Sequence, residues 1–377
     1  MSQGIQQLAQ PLLSVRDLKL HYFTSKGPVR ALDGVSFDLF PGETLGLVGE
    51  SGCGKTTTGL ALLGMPPPPG RIVSGSIRID GTEIVGLSEP ELRREVRWSK
   101  VSMVFQGAMN CLTPVYTVRE LMAETYREHA GRGASGAGAR NAKGSGGPEE
   151  LMSKYLGLVG LPDATLARYP HELSGGMKQR VVIALALFLE PKIVVMDEPT
   201  TALDVIVQAQ ILNLLKALKR DLGLSYVFVT HDLATEAEIA DRIMVMYAGK
   251  IAEFGPSEEI FSGTSDSPRE SPSGAHSDFQ GDSRRESQSE RLRRSLHPYT
   301  QMLLASTPRL HRRVSELAFI PGAPPDLLSP PPGCRFAPRC PFAKPKCRSE
   351  EPPLVELSKG HAIACWKATE DADYGRE

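Results

Sequence analysis

The sequence contains no apolar stretch long enough to cross a bilayer. Its longest run, "VVIALALFL" (Val181–Leu189), falls far short of the roughly 20 residues a spanning helix needs. Any association with a membrane is therefore expected to come through a partner. Charge of either sign is not in excess: 43 Lys and Arg face 44 Asp and Glu, a formal net charge of −1. That balance removes the electrostatic case for a nucleic-acid partner. The opening "MSQGIQQLAQPLLSV" lacks the basic start and apolar core of a secretory leader. The six cysteines are accordingly expected in reducing surroundings, where disulfides are rare. From Ser262 to Glu290 there is no Val, Ile, Leu or Met. Such a segment cannot bury enough surface to offset its ordering entropy, and 262–295 reads as a disordered insertion. "GRGASGAGARNAKGSGG" (131–147), mostly Gly and Ala, reads as a flexible linker or insertion. The remainder, at 41% hydrophobic and 23% charged, is ordinary for a globular chain long enough for one large domain or two modest ones.

In "TLGLVGESGCGKTTTGLALLG" a short apolar run, Thr44–Val48, predicts a buried strand. It is followed by Gly49-Glu50-Ser51-Gly52-Cys53-Gly54-Lys55-Thr56, a complete phosphate-loop pattern. The glycines let backbone N–H groups curl around phosphates without Cβ clashes, and the helix start near Lys55 directs its positive dipole end at the same anions. Lys55 is expected to reach the β- and γ-phosphates and the Thr56 hydroxyl to ligate Mg²⁺. Cys53 occupies a variable loop position and reads as a small filler. In "KIVVMDEPT" the apolar strand Ile193–Met196 ends in Asp197-Glu198. Both carboxylates then emerge at a strand's C-terminal edge, where open α/β sheets bind ligands. Asp197 is expected to hold Mg²⁺ through water and Glu198 to polarise the attacking water. The pattern is that of an NTPase.

Just upstream, in "HELSGGMKQRVVIALAL", Ser174 can cap a helix while Gly175 and Gly176 allow a phosphate to approach its start. With its neighbours this stretch resembles the signature sequence of ABC-type ATPases. Gln106 in "MVFQGAMN" resembles that family's Q-loop glutamine, and Thr201-Ala202-Leu203-Asp204 its D-loop. His231, ending "SYVFVTH", resembles the switch histidine, and Tyr22 falls where an aromatic lies under adenine. The motifs occur in family order over residues 13–261.

The resemblance implies an α/β fold: a P-loop NTPase cassette with a RecA-like core, an antiparallel β subdomain and an α-helical subdomain. The cassette would span 1–261, with its helical subdomain at about 107–172, interrupted by 131–147. Such cassettes dimerise head to tail, so Ser174 and Gly176 would contact ATP held by the partner, with Gly175 and Asp204 also among the nucleotide-binding residues. Gly49, Ser51, Gly52, Cys53, Gly54, Lys55, Thr56 and Thr57, with Tyr22, would contact this subunit's own ATP. Thr56, Gln106 and Asp197 would hold Mg²⁺, while Glu198, Gln106 and His231 serve hydrolysis. Closure on ATP and reopening after hydrolysis would drive a membrane partner.

More than a hundred residues follow the cassette. "HPYTQMLLASTPRL", "IPGAPPDLLSPPPGCRFAPRCPFAKPKC" and "GHAIACW" resemble the C-terminal extension of ATP-binding subunits in dipeptide/oligopeptide ABC importers. "FQGAMNCLTPVYTV" likewise resembles the subunit type that pairs with a related second ATPase. The extension, 296–377, carries C-x5-C-x6-C-x17-C and lacks the C-x2-C pairs of zinc ribbons. Cys340 precedes Pro341, as at some iron–sulfur cysteines. Resemblance to family members with a [4Fe–4S] cluster implies Cys334, Cys340, Cys347 and Cys365 as its ligands. Cys111 stands outside the set and reads as an ordinary buried or loop residue. The implied assembly has a second homologous ATPase, two permeases and an extracytoplasmic substrate-binding protein, with this chain peripheral on the cytoplasmic face. Cargo could be di- or oligopeptides, nickel chelates or oligosaccharides. A DNA-repair ABC ATPase would need zinc knuckles, two cassettes and a basic surface. A soluble regulatory ATPase would need no permease.

Overall fold

The computed structural model describes residues 10–130, 147–262, 296–306 and 319–373. Apart from Gly147 and Ser262, the two expected insertions, 131–147 and 262–295, lie outside the described residues. The chain forms two compact units. One comprises Met1–Asp241, Met246–Lys250 and Asp326–Ser329; the other comprises Arg242–Val245, Ile251–Pro325 and Pro330–Glu377.

The first unit holds β1 (Leu13–Thr24), β2 (Gly27–Leu39), β3 (Thr44–Val48), β4 (Gly70–Ile79) and β5 (Thr82–Glu83). It continues with β6 (Val101–Val104), β7 (Ile193–Asp197) and β8 (Ser225–Val229). An antiparallel sheet runs in the order β2-β1-β4-β5. In β1 the buried residues are Leu13 and Val15, then Leu18 and Leu20. Strict alternation would have buried Asp17 and Lys19 instead. The register shifts between Val15 and Leu18, with Asp17 at φ 43°, and this bulge returns the leucines to the core. Gly75 of β4 faces the bulge: a Cβ there would lie 2.6 Å from the Asp17 carbonyl oxygen.

The parallel strands of this unit run β3-β8-β7-β6, and every residue in them is buried. That explains their continuous apolar composition, since a parallel strand covered on both faces has no solvent side. The helix Lys55–Leu62 follows β3 and the helix Val205–Leu222 follows β7. The latter buries Ile211, Leu212, Leu215 and Leu218 at helical spacing and stops at Gly223, which adopts φ 64°. Within 107–172 the helices Val118–Ala130 and Pro148–Leu158 bury Met122, Met152 and Tyr155 in a cluster with Phe188. The Tyr155 ring meets Phe188 edge-on at 5.8 Å, and its hydroxyl donates to Glu190 at 2.9 Å. Burial, then the Glu190 charge, keep that phenol protonated.

β9 (Arg242–Tyr247) is divided between the units. The second unit contains most of β10 (Lys250–Pro256), with β11 (Val355–Ser358) and β12 (His361–Ile363), ordered β11-β12-β10 and antiparallel. Tyr299 and Phe336 are fully buried with rings 5.3 Å apart. His361 is clamped between two carboxylates, Nε2 to Glu253 at 2.7 Å and Nδ1 to Glu259 at 2.9 Å. Glu253 also accepts the His297 N–H at 3.1 Å, so the clamp joins β10, the helix Ser257–Ser262, β12 and the start of the helix Pro298–Ala305.

Burial opposes the imidazolium, but the hydrogen bond and charge of Glu253, followed by those of Glu259, outweigh it and raise the His361 pKa. A raised folded-state value means the clamp's contribution is complete below the unfolded histidine pKa of about 6.5 and is lost as pH rises through the folded value. Urea unfolding followed by Trp366 fluorescence in a Trp98→Phe background should therefore show the second unit weakening with rising pH. His361→Gln should flatten that dependence, and an unchanged slope would contradict the clamp.

Candidate active site

Between β3 and the helix Lys55–Leu62 the loop turns on Gly49, Gly52 and Gly54, with φ of 147°, 79° and 110°. A Cβ on Gly49 would stand 2.2 Å from the Met246 carbonyl oxygen, and one on Gly54 2.8 Å from the Leu32 side chain. At Gly52 nothing lies within 4 Å, so its glycine answers to backbone conformation alone. Lys55 is nearly buried, and its Nζ donates to the carbonyls of Gly49 at 2.6 Å and Glu50 at 3.1 Å. Cys53 packs beneath it, Sγ 3.6 Å from Nζ, and burial raises its thiol pKa, so it stays a neutral filler. The Tyr22 hydroxyl on β1 lies 3.5 Å from that of Thr57, bringing the expected adenine-side aromatic to the loop helix.

At the end of β7, Asp197 is 1% exposed, and its Oδ1 accepts the Thr56 hydroxyl at 3.3 Å. Its Oδ2 is buried with no hydrogen-bond partner. Burial raises the Asp197 pKa, the Thr56 hydrogen bond opposes the rise, and the Glu198 charge adds to it. A buried carboxylate oxygen without a partner beside a threonine hydroxyl is a donor pair suited to a hard divalent cation.

Glu198 follows at φ 51°, a left-handed conformation costing a non-glycine residue about 1–3 kcal/mol. The conformation is held by the Glu198 N–H donating to the Val229 carbonyl at 2.8 Å. Its carboxylate collects three residues. Oε2 accepts from Gln106 Nε2 at 2.9 Å and from the Thr201 hydroxyl at 2.9 Å, and Oε1 stands 3.2 Å from His231 Nδ1. Gln106, Glu198 and His231 were anticipated together; Thr201 as a direct partner of Glu198 was not. The tight turn that bonds Thr201 N–H to the Glu198 carbonyl at 3.2 Å returns the hydroxyl to the carboxylate.

Ser174 caps the helix Gly175–Leu187, accepting the Met177 N–H at 3.4 Å, and both Ser174 and Gly175 are exposed. A Cβ on Gly176 would lie 2.8 Å from Val207, so the glycine permits close packing on the helix Val205–Leu222. Asp204 caps that helix through the Val207 N–H at 3.0 Å, a contribution of about 1 kcal/mol. Among the described residues neither Ser174 nor Asp204 hydrogen-bonds the phosphate loop of its own chain. The turn after Asp204 exposes two large apolar side chains, Val205 at 81% and Ile206 at 72%.

In the second unit Cys334, Cys340, Cys347 and Cys365 line one pocket with His297, Phe336 and Trp366. All four are free thiols. The Cys334 N–H donates to the Cys347 carbonyl at 2.8 Å, and a Cβ on Gly333 would meet that oxygen at 2.4 Å, so the close approach requires glycine. Burial, then the other three cysteines, push the Cys334 pKa up to about 11, while the Phe336 N–H opposes the rise. Cys340 and Cys365 are raised by burial as well, against backbone N–H groups of Phe342 and of Ala368 and Lys367. Among the described residues no three or more His, Cys, Asp or Glu side chains are grouped to hold a metal ion. Cys111 is exposed at the end of a short turn.

The site is thus that of a P-loop ATPase in which the Glu198 carboxylate is bracketed by a glutamine and a histidine. Residues 32–201 match the ABC transporter family, and 286–347 match the C-terminal region of oligopeptide/dipeptide transporters. The dipeptide transport ATP-binding protein DppD of Bacillus subtilis is 41% identical over 368 residues, 97% of either chain. The oligopeptide transport ATP-binding protein OppD of Escherichia coli is 40% identical over 97% of this chain and 96% of its own. Among solved structures, a dimeric ATP-binding cassette, MJ0796 with ADP and Pi, aligns with TM-score 0.53 and 28% identity, covering 65% of this chain and 98% of its own. The chain belongs to the ABC transporter family, among the ATP-binding proteins that carry the oligopeptide/dipeptide C-terminal region.

Proposed function

We propose that this chain is the ATP-hydrolysing subunit of an importer of di- and oligopeptides. The observation that carries the catalytic part is the Glu198 carboxylate bracketed by Gln106, Thr201 and His231 at the end of a core strand. On this reading Gly49, Ser51, Gly52, Gly54, Lys55 and Thr57 hold the phosphates and Tyr22 the adenine. Thr56, Asp197 and Gln106 hold Mg²⁺, whose charge offsets that of the β- and γ-phosphates. Glu198 accepts a proton from water as its oxygen bonds to the γ-phosphorus and the bond to the β-phosphate oxygen breaks. His231, bonded to the same carboxylate, orients it.

The cassette then covers 1–261, with a helical subdomain at about 107–172, and the extension 296–377. The exposed Ser174, Gly175 and Asp204, together with the uncovered Val205 and Ile206, support a second cassette as partner. The dimeric state of the similar cassette supports it as well. Among the described residues no helix is long and apolar enough to cross a membrane. On this reading two permeases and an extracytoplasmic binding protein complete the assembly, with this chain peripheral on the cytoplasmic face. Hydrolysis should rise when a related ATPase and the permeases are added, and Ser174→Arg should impair the site whose phosphate loop belongs to the partner. Full activity of a monomer verified by light scattering would contradict this. Vesicles carrying the assembly should accumulate labelled dipeptide; uptake of nickel chelates or oligosaccharides instead would overturn the cargo.

The extension is proposed to hold a [4Fe–4S] cluster on Cys334, Cys340, Cys347 and Cys365. A lone zinc ion would draw four sulfurs to about 2.3 Å of one point. Four thiols share one pocket, and backbone N–H groups lie against the sulfurs of Cys334, Cys340 and Cys365, a donor set that suits a cluster with one cysteine per iron. Its role is to tie together a proline-rich extension.

A further inference from the structure

His231 is 68% exposed, so packing around its ring cannot hold it against Glu198. Behind the pair lies a second connection. Gln208, on the first turn of the helix Val205–Leu222, reaches across with its amide. Nε2 donates to the Thr200 hydroxyl oxygen at 3.4 Å and to the Thr235 hydroxyl oxygen at 3.5 Å, both at the long end of hydrogen bonding. Thr200 and Thr235 are buried, at 6% and 4% exposure. Thr200 lies two residues beyond Glu198 on the segment leaving β7. The Thr235 hydroxyl bonds the Asp232 carboxylate, which also accepts the N–H groups of Ala234 at 3.1 Å and Thr235 at 3.3 Å and so caps the helix that follows His231. An amide nitrogen carries two N–H donors, so a single neutral atom can serve both hydroxyls.

We propose that Gln208 is a positioning residue for hydrolysis: its amide ties the segment carrying Glu198 to the segment carrying His231 and sets their 3.2 Å contact from the buried side. Gln208 also begins one turn after Asp204, its N–H bonded to the Asp204 carbonyl at 2.8 Å. A shift of the Asp204 turn is thereby transmitted to both catalytic segments at once. The proposal rests on the ATPase reading, which wild-type turnover in the same assay tests by itself.

Gln208→Met keeps the side chain's length and removes its donors. In the full-length chain with its partners, kcat should fall by about tenfold to a hundredfold, the cost of a misplaced catalytic group, with KM for ATP unchanged. Thr235→Val should do the same, and the double variant should be no slower than the slower single one, because one bridge is lost only once. In single-turnover measurements on His231→Ala, adding Gln208→Met should change nothing further. The proposal is overturned by multiplying losses in the double variant, by a rise in KM at constant kcat, or by wild-type kcat in Gln208→Met. It is equally overturned if the loss of kcat in both variants merely follows a lowered unfolding temperature.

Discussion

Glu198→Gln protein is expected to bind ATP and Mg²⁺ like the wild type and to lose turnover by about a hundredfold to ten-thousandfold. The substitution keeps the size of the side chain and its oxygen for the Gln106 or Thr201 donors, while removing the proton acceptor. It also places an N–H₂ group where His231 and two donors now converge on two oxygens, so one of these contacts must reverse or break. Lys55→Ala provides the contrast. It removes a cation from the phosphate loop, and its cost should appear in ATP affinity before it appears in kcat. The measurement is equilibrium binding of a fluorescent ATP analogue beside steady-state phosphate release, both in the complex with partners. Near-normal phosphate release by Glu198→Gln would remove Glu198 as the base.

The second large effect concerns the extension. Protein purified without oxygen should be brown and carry about four irons and four labile sulfides per chain. Cys340→Ser should abolish the colour and lower the iron to background. The second unit has few periodic apolar residues between Pro330 and Pro353, so losing the cluster should also expose it to limited proteolysis. ATP affinity should survive, because the phosphate loop takes its contacts from Ala31, Leu32 and Met246 within the first unit. Stoichiometric zinc, or no metal in protein prepared without oxygen, would overturn the cluster. A zinc site would be colourless with one metal per chain.

Several features could be read from the sequence because local geometry determines them. Three glycines in six positions after an apolar strand define a loop that only that backbone can make, and Gly49 and Gly54 are confined as that reading requires. Asp197-Glu198 at the end of a buried run and Ser174 before a helix are likewise one-dimensional signals, because strand ends and caps are set by neighbours in the chain. The four cysteines could be counted and spaced, while the cluster proposed for them rests on the resemblance.

What the tertiary structure alone decided is the contacts by which distant groups meet, including those between groups the family resemblance had already placed in one site. Gln106 stands 92 positions from Glu198 and Thr56 141 from Asp197; strand order and parallel register bring them within hydrogen-bonding reach. The bulge at Asp17 reversed the faces of β1, which alternation alone would have misassigned. His361 met two glutamates, and Gln208 met Thr200 and Thr235. None of these pairs leaves a periodic trace, because a hydrogen bond depends on alignment to a few tenths of an ångström between segments whose separation along the chain carries no information about their separation in space. The composition of a site can be written locally; its geometry exists only once the sheet has assembled.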